Sequence, residues 1–100
     1  MLDHEPKNEN NRMTRLKIDG LEAWVTAFLR DCKIRNLSEM TVEFYRKQLK
    51  VFVTYCHGEH VTEVLDVTPD NLRGFLFALE ARGRNAGGRH AAFRAVRAFL

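Results

Sequence analysis

The chain has 100 residues and no apolar run approaching the roughly 20 residues that a membrane-crossing helix needs. Nothing near its start has the basic, then apolar, then small-residue order of an export signal. Cysteine is scarce, with Cys32 and Cys56 alone. Without an export signal, both read as free thiols of a reducing cytosol, in or near the core. Strand-type alternation is nearly absent, which leaves helices. Acidic residues stop at Glu80, so the final stretch carries positive charge without compensation. The length allows one small domain, with little left over for an internal catalytic cavity.

What is present is globular composition, 45% apolar, and a mildly basic net charge of +3. That balance is compatible with a nucleic-acid partner and also with many inert domains. The opening "MLDHEPKNENNRMTR" is polar and mixed in charge. It is expected to be a disordered leader over residues 1–18, ahead of a helical domain over residues 19–100. The last residues, "RAFL", supply no cap, glycine or polar tail. They read as an edge where a longer protein continues.

Four helical segments are expected. The first spans about Leu21 to Arg35, with Leu21, Trp24, Val25, Phe28 and Leu29 as its buried stripe and Asn36 at its end. Ser38 caps the second, Glu39 faces its positive end, and Gly58 stops it. Val42, Tyr45, Leu49, Phe52, Val53 and Cys56 form its buried stripe. "VTPDNL" opens the third, with Thr68 as cap and Pro69 in the first turn. Leu72, Phe75, Leu76 and Leu79 point inward, and Gly83 ends the segment. "RGRNAGG" reads as a flexible basic loop. The fourth helix then runs from about Gly88 to Leu100, burying Phe93, Val96 and Leu100.

The outer faces carry the functional signal. Opposite the buried stripe of the second helix lie Met40, Phe44, Lys47, Val51 and Thr54, flanked by Glu43 and Lys50. Near its N-terminus, Thr41, Met40, Phe44 and Lys47 combine a hydroxyl, apolar tips and an ammonium, which suits a DNA groove and its phosphates. The fourth helix sets Gly87, His90, Ala91, Arg94 and Ala98 outward, with Arg97 to one side. Arg82, Arg84 and Arg89 add charge to the loop and first turn. Small residues among basic ones let a helix approach a duplex closely. A solvated basic face is the plainer account of such a run.

Other constellations are weaker. Cys56, His57 and His60 lie close in sequence, but a zinc site needs four ligands and no paired spacing recurs. A Cys–His catalytic pair lacks an indicated pocket or oxyanion donor. "GRNAGG" has no Lys–Ser/Thr after its glycines and no strand before them, so it is no phosphate loop.

"LSEMTVEFYRKQLKVF" resembles the Leu-Ser-x-x-Thr-x-x-x-Tyr-x-x-x-Leu-x-x-Phe pattern of the tyrosine recombinases, the phage-integrase family. The matching residues are Leu37, Ser38, Thr41, Tyr45, Leu49 and Phe52. "VTPDNLRGFLFALEARG" looks like that family's third helix, and "RAVRAFL" is similar to its fourth. The resemblance covers about Leu21 to Leu100. It implies an all-α, four-helix core-binding (SAM-like) bundle that clamps one side of a recombination-site duplex through its second and fourth helices. Strand cleavage would belong to a C-terminal catalytic domain, so this chain would bind DNA without cutting it and without metal or other cofactor.

Carried over by position, the DNA-binding residues are Met40, Thr41, Phe44, Lys47, Lys50, Arg84, Gly87, Gly88, Arg89, His90 and Arg94. Gly87 and Gly88 stand where the family commonly has hydroxyl or basic residues, which leaves backbone N–H groups as donors there. Tyr45 reads as core, not as a nucleophile. The implied partners are double-stranded DNA and other integrase protomers in a synaptic complex, in bacterial cytoplasm at the nucleoid, with no membrane. The rival readings are a helical protein-interaction module using Phe44, Val51 and Tyr55, and a small enzyme using Cys56 or His57.

Overall fold

The computed structural model describes residues 20–100. The leader expected over residues 1–18 lies outside the described residues. The described chain forms α1 (Gly20–Ile34), α2 (Glu39–Gly58), one 3-10 turn (Val64–Asp66), α3 (Pro69–Ala81) and α4 (Ala86–Phe99), and no strand occurs among the described residues. The expectation of an all-α bundle holds. α2 is the central element: it packs most extensively on α4 and α1 and also touches α3, while α3 and α4 pack on each other.

The helix boundaries follow from local chemistry. Ser38 caps α2 by accepting the Thr41 N–H at 3.1 Å. At α3, Asn71 N–H donates to Thr68 Oγ1 at 3.1 Å, and Thr68 N–H donates to Asn71 Oδ1 at 2.8 Å. This reciprocal box, with Pro69 in the first turn, fixes the start of α3.

The first three helices stop in the same manner. Asn36, His60 and Gly83 adopt positive φ values of 66°, 64° and 92°. Beyond each, the next N–H reaches back to close the last turn: Leu37 to Cys32 O at 3.1 Å, Val61 to Cys56 O at 2.8 Å, and Arg84 to Leu79 O at 3.0 Å. These are Schellman closures. The reversal after α2 therefore sits at His60, and Gly58 is its last helical residue, not its stop.

The core consists of Leu21, Val25, Leu29 and Cys32 of α1; Val42, Leu49, Phe52, Val53 and Cys56 of α2; Phe75 and Leu79 of α3; and Ala92 and Val96 of α4. Phe52 meets Phe75 edge-on at 5.1 Å, which contributes about 0.5–1.5 kcal/mol beyond burial alone. Gly74 permits the close approach of α3 to α2, because the Tyr55 hydroxyl occupies the space where a Cβ would stand.

Three sequence expectations are corrected. Trp24 is 61% exposed rather than part of the α1 stripe, and Cys32 takes the inner position instead. The physical reason is that α1 packs principally on α2 and the 3-10 turn, so the Trp24 edge has no helix over it. α4 starts at Ala86, because Asn85 accepts the Gly88 N–H at 2.8 Å and caps it. "NAGG" is thus the helix start, not a flexible loop. The inner face of α4 is Ala92, Ala95 and Val96, while Phe93 is half-buried and Leu100 is 54% exposed. Alanines let α4 lie close on α2 and push the larger Phe93 to the edge.

Candidate nucleic-acid interface

The aromatic side chains fix how α2 and α4 lie together. Phe28 of α1 packs edge-on against Tyr45 at 5.3 Å and against Phe99 at 5.7 Å. Arg94 stands over the ring of Phe44, 5.9 Å from its centroid. The C-terminal half of α4 therefore lies beside the N-terminal half of α2. The start of α4 lies toward the other end of α2, since Arg82 borders the same groove as Val51, Tyr55 and Gly58. The expected site residues form an extended face, not a single cluster.

At the α2 end, Met40 is 85% exposed and Lys47 is exposed, while Thr41 and Phe44 are half-buried. Thr41 is already part of the cap: its hydroxyl oxygen accepts from Ser38 Oγ at 3.0 Å, which leaves its own O–H to donate. Arg94 and His90 are exposed on α4. The structure joins Phe44 and Arg94 directly.

It does not bring the others to that point. Lys50 lines a separate groove of about 320 Å³ between α1 and α2, together with Glu22 and Thr26. Arg84 and Arg89 fold over the first turn of α4, where Arg89 Nη1 donates to Arg84 O at 2.7 Å and Arg84 Nη1 to Gly88 O at 3.5 Å. The Gly88 N–H is taken by Asn85, so it is not the free phosphate donor expected from the sequence.

Charge is distributed unevenly over this surface. The ion pairs among the described residues are Arg35–Asp31, Arg46–Glu43 and Arg73–Asp70. Lys47, Arg94 and Arg97 have no acidic partner there. Arg97 was set to one side in the sequence; its guanidinium stands 5.6 Å from the Phe93 centroid. The signal that could have found it is the i,i+4 spacing of Phe93 and Arg97. No sequence signal shows the Arg94–Phe44 pair, because it joins two helices.

The competing sites fare differently in geometry. Burial, reinforced by Glu59, pushes the Cys56 thiol up to about 11, the opposite of an activated nucleophile. Among the described residues, no group of three or more His, Cys, Asp or Glu side chains is placed to hold a metal ion. Val51 and Tyr55, proposed contacts of a protein partner, are half-buried against the chain's own core. Tyr45 likewise packs on that core beside Phe28. No helix among the described residues is long and apolar enough to cross a membrane.

The fold and this face define a small all-α domain with a basic surface built on its central and last helices. Residues 25–100 match the family of phage integrase N-terminal SAM-like domains, and the chain belongs to it. Neither a curated protein nor a solved structure matches the chain.

Proposed function

We propose that this chain is the DNA-gripping domain of a site-specific tyrosine recombinase, holding one side of the recombination-site duplex through α2 and α4. Strand cleavage and rejoining belong to a catalytic domain in the rest of the parent protein. The observation that carries this reading is the Arg94–Phe44 stack at 5.9 Å, which joins the α2 N-terminal face to an α4 that carries no acid. A guanidinium held on a ring keeps its N–H edge available for phosphate.

The roles divide along the face. Lys47 and Arg94 neutralise phosphates, and Thr41 donates its hydroxyl to a phosphate or base edge at the positive end of α2. Met40 supplies an exposed apolar tip suited to a thymine methyl. Arg84, Arg89 and His90 extend the charge toward the start of α4. Lys50 contributes least, since it faces the α1–α2 groove. The parent protein assembles with further protomers on DNA in the bacterial cytoplasm.

Salt titration of binding to a short duplex tests this. Six phosphate contacts predict a loss of ~10³ in affinity or more between about 50 and 200 mM salt. An affinity nearly independent of salt contradicts the proposal and favours an apolar protein interface.

A further inference from the structure

Arg97 is exposed and has no acidic partner among the described residues, yet its guanidinium stands 5.6 Å from the Phe93 centroid. Phe93 is half-buried, so the fold holds the ring while the cation faces solvent. The arrangement repeats the Arg94–Phe44 stack three residues earlier on the same helix. Residues three apart on a helix are surface neighbours, with Cβ atoms about 5–6 Å apart. Two ring-seated arginines at this spacing suit neighbouring phosphates. The Arg94–Phe44 stack also sets this half of α4 beside the N-terminal half of α2.

We propose that Arg97 is a further phosphate-binding residue of this face and that Phe93 is its positioning residue, a claim that rests on the DNA-binding reading above. A guanidinium held over a ring by cation–π attraction still presents N–H donors to solvent, and it has less freedom to lose when it meets a phosphate. The plainer account is that Arg97, in the last turn of α4, only complements the negative end of the helix dipole. In that case removing it changes stability slightly and DNA binding not at all.

The test is equilibrium binding of the whole chain to a short random duplex from about 50 to 200 mM salt. Wild type is compared with Arg97→Ala, Phe93→Leu, Phe93→Tyr and Arg94→Ala, with thermal melts to confirm folding. Arg97 is exposed, so its replacement leaves the core untouched. Arg97→Ala is expected to make the slope of log K against log salt shallower by about 0.9. Phe93→Leu keeps the charge, so the slope stays, while affinity falls about two- to fivefold from the lost stacking. Phe93→Tyr restores it.

A wild-type slope for Arg97→Ala, where Arg94→Ala is shallower, overturns the proposal and leaves the DNA reading in place. Unchanged affinity in Phe93→Leu overturns the positioning role. Wild-type slopes in both arginine variants overturn the proposal together with the placement of DNA on this face of α4, and a wild-type affinity nearly independent of salt overturns the DNA reading itself.

Discussion

Gly74 of α3 and Tyr55 of α2 stand close enough for a substitution at one to be felt at the other. A Cβ at position 74 would overlap the Tyr55 hydroxyl, while the next nearest atom, Tyr55 Cζ, would lie at 3.4 Å, close to ordinary contact. Alanine in place of a mid-helix glycine gains about 1 kcal/mol of helix propensity. Overpacking costs about 1–3 kcal/mol. Gly74→Ala alone is therefore expected to destabilise by about 1 kcal/mol, a drop of about 4–8 °C in a domain of this size. Tyr55→Phe removes only the clashing oxygen. In that background Gly74→Ala should instead stabilise by about 1 kcal/mol, giving a coupling of about 2 kcal/mol between the two positions. Thermal unfolding of the four chains by circular dichroism measures this. Equal effects of Gly74→Ala in both backgrounds would refute the close approach of α3 to α2.

Four other outcomes are expected. His60→Gly should raise stability by about 1 kcal/mol in urea unfolding, because His60 holds a positive φ of 64° that costs an L-residue about that much. The Cys56 thiol is pushed from its ordinary 9.0 up to about 11, so the folded state favours the protonated form. Its contribution is full below about pH 9 and is lost as pH rises toward 11, by on the order of 2 kcal/mol, and unfolding curves across that window will show the decline. Lys47→Ala and Arg94→Ala should each weaken binding to all sequences alike and flatten the salt slope by about 0.9. Thr41→Ala should matter mainly on a cognate site, and an equal loss on random DNA, in the same titration, makes it a phosphate contact only.

Most of the bundle is legible in the sequence because its ends carry local signals. Ser38 and Thr68 announce helix starts by their own side-chain hydrogen bonds, and the inner stripe of α2 follows from spacing. The start of α4 was hidden, since Gly87 and Gly88 suggest a loop until Asn85 is seen capping them. Trp24 misled because periodicity gives a direction for a stripe but not the width of the partner that covers it. The rotation of α4 was missed for a related reason: close helix packing selects alanines over Phe93, and hydrophobicity alone ranks them the other way. Within the candidate site, exposed Met40, Lys47, His90 and Arg94 were readable from helical geometry. The folded-back Arg84 and Arg89 and the ring under Arg94 depend on tertiary neighbours, which no spacing encodes.

The proposed function requires α2 and α4 to present one DNA-gripping face together. An NMR titration of the isotope-labelled chain with a short random duplex, at low and then moderate salt, tests it most directly. Shifts are expected to concentrate on Met40 to Lys47 and on Arg84 to Arg97, and to be largely reversed by salt. No shifts at low salt, or shifts centred on the exposed Trp24 and Phe77 edges instead, would contradict it.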